Sequence, residues 1–237
     1  MDKRHIVIGD RVNSSLVVLR EGVIVVDTSV DEETAFKLHA EAIGSGKMLY
    51  VINTHEHGDH LAGNGLFECP IISSAVAREQ MLAGNKPPAL PKLVFSDRME
   101  LFLSEQVVLQ HFGGHCPGAA VVYFPERRLL FTGDLVFAGR MPYMGQAVFK
   151  TWLAALEELE RWDVEQVVPG HGDQGGIELL ANQRRWLEVF IERILGCSMK
   201  GQSRQEMLDQ VLSLHEVPER WHSMVEQAID RIIKEYK

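Results

Sequence analysis

The stretch His55-Glu56-His57-Gly58-Asp59-His60 decides how this chain is interpreted, because it places three imidazoles and two carboxylates within six residues. It directly follows an apolar run at 48–52, which predicts a β-strand. Imidazole nitrogens and carboxylate oxygens are both ligands that zinc accepts. The segment therefore predicts a metal site at the end of a strand.

Three more residues with metal-binding side chains follow, each in a glycine-flanked turn after an apolar strand, namely His115, Asp134 and His171. With His55, His57, Asp59 and His60 they make seven candidate ligands, too many for one tetrahedral ion and about right for two. In an extended chain the side chains alternate between faces, so His60 falls out of phase with His55 and His57. We therefore expect His60 to serve a different ion or a different face.

Size and composition narrow the class of protein. With 237 residues and 46% hydrophobic residues, the chain predicts one large domain or one domain with an appendage. No apolar run approaches the roughly 20 residues of a membrane span, and no secretory signal is visible. The three cysteines (Cys69, Cys116 and Cys197) form no paired framework, which indicates reduced thiols in a cytoplasmic protein. A net charge of −9 argues against a nucleic-acid partner. The expected partner is a small-molecule substrate.

Short strands and helices alternate along the chain, which predicts an α/β fold of packed layers. Strands are predicted at 5–8, 15–20, 22–26, 48–52, 71–72, 99–103, 107–111, 119–124, 129–131 and 166–168. Helices are predicted after a Ser29–Glu32 capping box, at 74–82 and at 149–162, and the chain after His171 is helical. We expect a catalytic domain at 1–196 and a helical extension at 197–237. The apolar stripe from Trp221 to Tyr236 packs either on that domain or on a second copy in a homodimer.

The motifs also carry a resemblance to a known family. The series His55-x-His57-x-Asp59-His60, Gly114-His115-Cys116-Pro117-Gly118, Phe131-Thr132-Gly133-Asp134 and Pro169-Gly170-His171-Gly172 resembles the metallo-β-lactamase fold superfamily, in that family's order. The resemblance covers about 27–171. It implies a four-layer αβ/βα sandwich with the site in loops at the sheet edge, and it points to the glyoxalase II and lactonase-like branch of dinuclear metallohydrolases.

The same resemblance implies a role for each site residue. His55, His57 and His115 would hold the first metal ion, Asp59, His60 and His171 the second, and Asp134 would bridge the two ions. Asp27, at the end of a strand, would support the ligand loop from behind. The expected cofactor is two divalent ions, with zinc favoured and iron or manganese as alternatives.

Two positions distinguish this chain within the metallo-β-lactamase pattern. Cys116 departs from the usual residue, and Asp134 matches the glyoxalase II and lactonase branch. Cys116 stands where the family usually has threonine, and a thiol so near the metal could be a ligand or an oxidation-sensitive spot. The bridging residue is Asp134, as in glyoxalase II and the lactonases, and not the cysteine of many true β-lactamases. Hydrolysis of antibiotics is therefore less expected than hydrolysis of other substrates.

The predicted mechanism follows from two ions about 3.5–4 Å apart, which share a water and lower its pKa to near 7. The bridging hydroxide would attack an ester, thioester, lactone or similar carbonyl, with Asp59 orienting it and moving a proton. Arg140 and Tyr143, in the glycine-containing loop after Asp134, would contact the substrate through a guanidinium and a phenol.

Other functions are compatible with parts of this pattern. An iron-dependent oxidoreductase of the same fold, similar to the persulfide dioxygenases, would retain most of the motifs, so the metal's identity discriminates it. A nucleic-acid-processing enzyme would need an added recognition domain, and a binding protein without turnover would not need the complete ligand set. His5, His39, His111, His215 and His222 are predicted to be structural or solvated.

Overall fold

Two β-sheets form the centre of the structure, a computed structural model that describes residues 4–9, 11–84, 87–214 and 217–237. The first sheet contains His5–Ile8 (β1), Ser14–Val18 (β2), Val23–Val26 (β3), Met48–Ile52 (β4), Ile71–Ser74 (β5) and Leu93–Phe95 (β6). The second contains Arg98–Phe102 (β7), Gln106–His111 (β8), Ala120–Phe124 (β9), Leu129–Phe137 (β10) and Gln166–His171 (β11). The helices are Glu32–Ser45 (α1), Ala75–Ala83 (α2), Phe149–Leu159 (α3), Glu178–Met199 (α4), Arg204–Leu214 (α5) and His222–Tyr236 (α6).

The strand orders are β1-β2-β3-β4-β5-β6 and β11-β10-β9-β8-β7. From β3 to β6 the first sheet is parallel, as is the β10–β11 pair, whereas the remaining pairs are antiparallel. Neighbouring parallel strands end at the same sheet edge. The loops that follow β3 and β4 therefore lie at one edge of the first sheet, and the ends of β10 and β11 lie together at one edge of the second.

Alternation along the strands separates the inner core from the outer faces. In β9, Ala120, Val122 and Phe124 pack between the two sheets, while Val121 and Tyr123 face the helices on the outside. Strand β3 shows the same period, with Ile24 inward and Val25 towards α1. Strands that are buried on both faces need apolar residues at every position, which explains the continuous apolar runs in the sequence.

Helices cover both outer faces. Helices α1 and α2 contact the first sheet, whereas α3 and α4 contact β10 of the second. The result is a helix–sheet–sheet–helix arrangement, so the predicted four-layer αβ/βα sandwich is confirmed. Among the described residues, no helix has both the length and the apolar character that crossing a bilayer requires.

The C-terminal helices share the core of the second sheet. Met207 and Leu208 of α5 and Val225, Ala228 and Ile232 of α6 are buried in the same cluster as α3 and α4. The apolar stripe of α6 therefore packs largely within this chain. The predicted boundary between residues 196 and 197 lies inside α4.

Helix α6 also braces the loop at 138–148. Arg231 donates to the carbonyl of Met144 at 3.1 Å. Glu235 accepts from the amides of Phe149 and Lys150 at 3.1 and 3.0 Å. These bonds satisfy two of the free amides at the start of α3, whose N-cap residue forms no side-chain cap.

Three local predictions were wrong in detail. Strand β10 does not stop at 131 but continues to Phe137, because Gly133 (φ 50°) introduces a bulge and the strand resumes beyond it. Helix α1 is capped by Asp31, whose carboxylate accepts from the Thr34 amide at 2.9 Å, and not by Ser29. Strand β6 is missing from the predicted strands, which pass from 71–72 to 99–103. The sequence predicts a loop at 84–91, of which residues 85 and 86 lie outside the described residues.

Candidate metal centre

All seven predicted ligands lie at one edge of the two sheets. The segment with His55, His57, Asp59 and His60 follows β4, and residues 58–60 form a short 3-10 turn. His115 lies in the loop between β8 and β9, Asp134 beyond the bulge of β10, and His171 at the end of β11. The ligand-type atoms form two groups, His55 with His57, His115 and Asp134, and Asp59 with His60 and His171, with the atoms of each group within 4.8 Å of one another.

The carboxylate of Asp134 connects the two groups. Its Oδ2 lies 3.6 Å from Nε2 of His55 and 3.4 Å from Nε2 of His115. Its Oδ1 lies 3.1 Å from Nε2 of His60 and 3.3 Å from Nε2 of His171. One oxygen thus faces each group, which is the placement that a bridging carboxylate requires.

Hydrogen bonds hold the outer nitrogens of His55 and His57 in the first group, whereas Nδ1 of His115 has no partner among the described residues. Nδ1 of His55 lies 2.9 Å from the hydroxyl of Thr54, which itself donates to Asp27, so the imidazole is the donor in this pair. Nε2 of His57 lies 2.8 Å from Oε1 of Gln146. An outer nitrogen that donates a proton leaves the other nitrogen with a lone pair, so Nε2 of His55 and Nδ1 of His57 face the centre as acceptors. Nδ1 of His57 lies 3.1 Å from Nε2 of His115, and a cation bound between them would take the place of that hydrogen bond.

The second group is held in the same way. Nδ1 of His60 lies 2.8 Å from Oδ2 of Asp27, and Nδ1 of His171 lies 2.6 Å from the carbonyl of Arg11. Both Nε2 atoms therefore point towards the centre. Asp59 approaches from the cavity side, where its Oδ2 lies 3.5 Å from Nε2 of His171 and 3.9 Å from Nε2 of His60.

Several buried polar atoms at the centre have no hydrogen-bond partner among the described residues. They are Nε2 of His55, Nε2 of His60, Nδ1 of His115 and Oδ1 of Asp134. Nε2 of His60 and Oδ1 of Asp134 lie 3.1 Å apart, an ion-pair distance without the geometry of a hydrogen bond. An unpaired buried polar atom costs about 1–3 kcal/mol, so a cluster of them needs a partner. Nitrogen and carboxylate donors in this number fit divalent cations such as zinc.

Burial and neighbouring charges set the protonation of the centre. Burial lowers the pKa of His115 to about 3 and that of His55 well below its ordinary value, aided for His55 by the nearby His60. Burial opposes the charge of His60, yet Asp134 and Asp27 raise its pKa well above the usual value. Burial likewise opposes ionisation of Asp134, but His60 and His171 hold its pKa well below the usual range. Without metal, His60 is thus a protonated imidazole between two carboxylates.

Two glycines let the backbone come close enough to build the centre. Gly114, before His115, has a φ of 95°, and a Cβ there would meet the backbone of Trp152. Gly170, before His171, faces the Asp134 carboxylate directly, and a Cβ there would overlap Oδ1. Larger residues at either position would displace a candidate ligand.

A cavity of about 520 Å³ opens onto the second group, with Asp59, Asp134 and His171 in its wall. Arg140 and Tyr143, predicted from the sequence as substrate contacts, line the same cavity. The Tyr143 ring lies edge-on to His57, with 5.6 Å between centroids. Both predicted residues therefore lie in the wall of the cavity that the candidate ligands border.

The cavity has two further lining residues that were not predicted as substrate contacts, Arg220 and Trp221, from the short turn before α6. The helical extension therefore contributes to the cavity beside the candidate ligands. Neither Arg140 nor Arg220 forms an ion pair with another described residue. Both guanidinium groups are available to an anion.

Other residues considered at the sequence level lie apart from the ligand groups. Cys116 is buried in the core beside α3, and burial together with Glu56 raises the pKa of its thiol well above the usual value. Neither ligand group of the described residues includes Cys116. The carboxylate of Glu56 accepts from the amide of Gly118 at 3.2 Å, so it supports the loop that carries His115.

Four of the remaining histidines contact protein groups away from the candidate metal centre. His5, His111 and His222 lie within hydrogen-bond distance of Gln174, the Pro117 carbonyl and the Val217 carbonyl, respectively, and His39 packs edge-on to Phe67. His215 lies outside the described residues.

Sequence reasoning missed Thr54, Gln146 and the carbonyl of Arg11, which hold the outer nitrogens. Thr54 directly precedes His55, so a polar residue next to a ligand was a usable signal. Gln146 is 89 positions from its partner His57, and no local pattern connects them.

Comparison with known proteins places these features in a family. A family described as the metallo-beta-lactamase superfamily matches residues 7–68 and 77–171, more than half of the chain. A metallo-beta-lactamase type 2 from Bacteroides fragilis is 25% identical over 190 residues, 76% of this chain and 76% of that protein. An acyl-coenzyme A thioesterase from Gallus gallus is 28% identical over 211 residues, 73% of this chain and 76% of that protein.

A third relative is a hydroxyacylglutathione hydrolase from Synechococcus sp. (strain JA-3-3Ab), which is 30% identical over 137 residues. That match covers 58% of this chain and about half (53%) of the relative. Among solved structures, a metallo-beta-lactamase from Pontibacter korlensis has a TM-score of 0.68 at 24% identity, covering 75% of this chain and 87% of that one. At that identity the likeness shows the fold.

Proposed function

This chain belongs to the metallo-beta-lactamase superfamily and is a metal-dependent hydrolase, and from that premise we propose that it is a dinuclear zinc enzyme that cleaves an anionic thioester or a related ester. His55, His57 and His115 would hold one ion, and Asp59, His60 and His171 the other. Asp134 would bridge them.

The observation that carries this proposal is the position of Asp134. Its two oxygens face two different histidine pairs, and every contact from carboxylate oxygen to imidazole nitrogen lies between 3.1 and 3.6 Å. A site for one ion would leave one oxygen of Asp134, and the two imidazole nitrogens that face it, without a partner. Two ions account for both.

When bound, the two ions would supply Lewis acidity that activates water and polarises the substrate carbonyl. The chain's own residues would do the rest. Asp59 borders both the ligands and the cavity, with its side chain 36% exposed, so it is placed to accept a proton from the attacking water and pass it to the departing group. Tyr143 would direct its hydroxyl towards the developing oxyanion.

The charge of the cavity supports an anionic substrate. The ligand carboxylates would be neutralised by the cations, whereas Arg140 and Arg220 have no acidic partner among the described side chains. Guanidinium groups bind carboxylates and phosphates through paired hydrogen bonds. Two of the relatives above are named for thioester substrates, an acyl-coenzyme A and a hydroxyacylglutathione.

Metal analysis combined with a substrate panel tests the proposal. Protein purified without added metal should contain about two zinc ions per chain, and it should hydrolyse anionic thioesters faster than lactones, β-lactams or phosphoesters. One iron per chain with oxygen-dependent oxidation of a persulfide would instead support the oxidoreductase alternative. Two zinc ions with no hydrolysis of any carbonyl substrate would contradict the proposed activity.

A further inference from the structure

Three cavities adjoin one another in a series that starts at the candidate metal centre. The first holds Asp59 and His171, and it shares Phe137 and Arg140 with a second cavity of about 330 Å³. The second shares Asn182 and Trp186 with a third cavity of about 390 Å³. The series leads from the candidate ligands onto the surface of α4, and the residues that line its outer cavity have no role assigned above.

The outer cavity follows a single face of α4. Asn182, Arg185, Trp186, Val189, Phe190 and Arg193 line it, together with Val211 of α5. Their spacing of three and four residues puts them on one side of the helix. From Asn182 to Arg193 the helix rises by about 16 Å, so the groove suits an extended molecule.

The floor of this groove is apolar and aromatic. The rings of Trp186 and Phe190 are stacked with 5.2 Å between centroids. Val189 is 49% exposed, which is high for an aliphatic side chain in a groove. An apolar or flat part of a ligand would cover this surface.

Arginines border the apolar floor. Arg185 and Arg193 form no ion pair within 4.0 Å among the described residues, although neighbouring Arg184 pairs with both Glu160 and Glu188. In a chain with a net charge of −9, unpaired arginines along one groove are an arrangement that favours anions. Arg140 continues this arrangement to the metal centre.

We propose that this groove binds the leaving-group arm of the substrate, a long thiol-bearing arm with an apolar or aromatic portion and phosphate groups. The scissile carbonyl would lie at the metal centre, the arm would pass Phe137 and Arg140, and its phosphates would pair with Arg185 and Arg193. This inference rests on the proposed thioester hydrolysis and names the class of thiol. A phosphate offers acceptors that suit a planar guanidinium, which explains arginine rather than lysine at these positions.

Direct binding tests the groove separately from catalysis. Coenzyme A and pantetheine are suitable probes, because both carry the same thiol end and only the first carries phosphates. Titration of the purified protein by calorimetry should give an affinity about tenfold or more higher for coenzyme A. The double variant Arg185→Gln/Arg193→Gln should bind the two probes about equally. The control variant Arg161→Gln, which removes an exposed arginine in the turn after α3, should keep the difference.

Turnover separates failure of the groove from failure of the proposed function. With an acyl-coenzyme A and the matching acyl-pantetheine, the double variant should raise KM for the first by about tenfold or more and leave both kcat values and the second KM unchanged. If neither thioester is hydrolysed, the proposed function is overturned, whereas the binding result still stands. Equal affinity of the wild-type protein for both probes would overturn the groove, even if both thioesters were cleaved. A dimer that Val189→Glu dissociates would assign the groove to a second copy and would also overturn it.

Discussion

The Nδ1 atom of His60 lies 2.8 Å from Oδ2 of Asp27, and both side chains are almost fully buried. The same carboxylate accepts from the amide and the hydroxyl of Thr54, at 2.8 Å each. Thr54 in turn contacts Nδ1 of His55. One carboxylate therefore orients a histidine from each ligand group, and it does so from behind the metal centre.

Asp27→Asn should weaken metal binding at the second group. The amide would keep the shape but present a donor to His60, which would move the imidazole proton to Nε2 and remove the free lone pair. Loss of a supporting partner of this kind costs about 10- to 100-fold in metal affinity. Chelator titration would measure it, with Asp163→Asn as the control, since Asp163 is an exposed aspartate that pairs with Arg128 at the surface. Asparagine also tolerates the φ of 57° at position 27, so the fold should persist.

Gln146→Ala should affect the first group in a corresponding way. It removes the acceptor for Nε2 of His57 and so frees the imidazole to take the other tautomer. We expect loss of about one of two bound ions under a chelator concentration that the wild type withstands. Gln146→Glu keeps an acceptor and should restore binding. Equal weakening by both variants would show that packing of the loop, rather than the hydrogen bond, matters.

Asp134→Asn should affect both groups together. Each oxygen faces a different histidine pair, so neutralising this side chain should lower the occupancy of both ions. The loss of metal affinity should exceed the roughly 10- to 100-fold that is typical when a supporting residue is removed. Elemental analysis and kcat measured on the same sample would test this. Retention of two ions with normal turnover would contradict the bridging role.

Zinc binding should release a proton at neutral pH. In the metal-free protein, burial opposes the charge of His60, but Asp134 and Asp27 raise its pKa well above 6.5. Between pH 6.5 and that raised pKa, Nε2 of His60 therefore carries a proton that a free histidine would have lost. The cation must displace this proton, so apparent affinity should fall as pH falls through that window. Calorimetry at pH 7.5 in buffers of different ionisation enthalpy should show release of about one proton from His60. Asp27→Asn lowers the pKa of His60 and should reduce the release.

Arg220→Gln should raise KM for an anionic thioester by about tenfold and leave kcat unchanged, because the guanidinium borders the cavity away from the ligands. The KM of a neutral thioester should stay the same. Since Arg220 is exposed, the difference between wild type and variant should shrink at high salt. A drop in kcat with both substrates would instead assign Arg220 to the support of the site.

The positions of most strands along the chain, though not β6, and the identity of the candidate ligands could be predicted from the sequence. Apolar runs such as 23–26 and 120–124 form strands because their residues are buried on both faces. The polar ligands stand near the ends of strands, as His55 does after β4. The length of β10 could not be read in the same way. Gly133 and Asp134 look like a turn locally, but pairing with β11 carries the strand through a bulge to Phe137.

The sequence by itself determined which side chains are available for two cations, because ligand type and position at strand ends are local properties. The tertiary structure alone decided which nitrogen of His60, His57 and His171 faces the centre, since Asp27, Gln146 and the Arg11 carbonyl reach these partners across 33, 89 and 160 positions. It also brought Arg220 and Trp221 of the helical extension to the cavity wall. Contacts between distant segments depend on how sheets and helices pack, and no local periodicity encodes that packing.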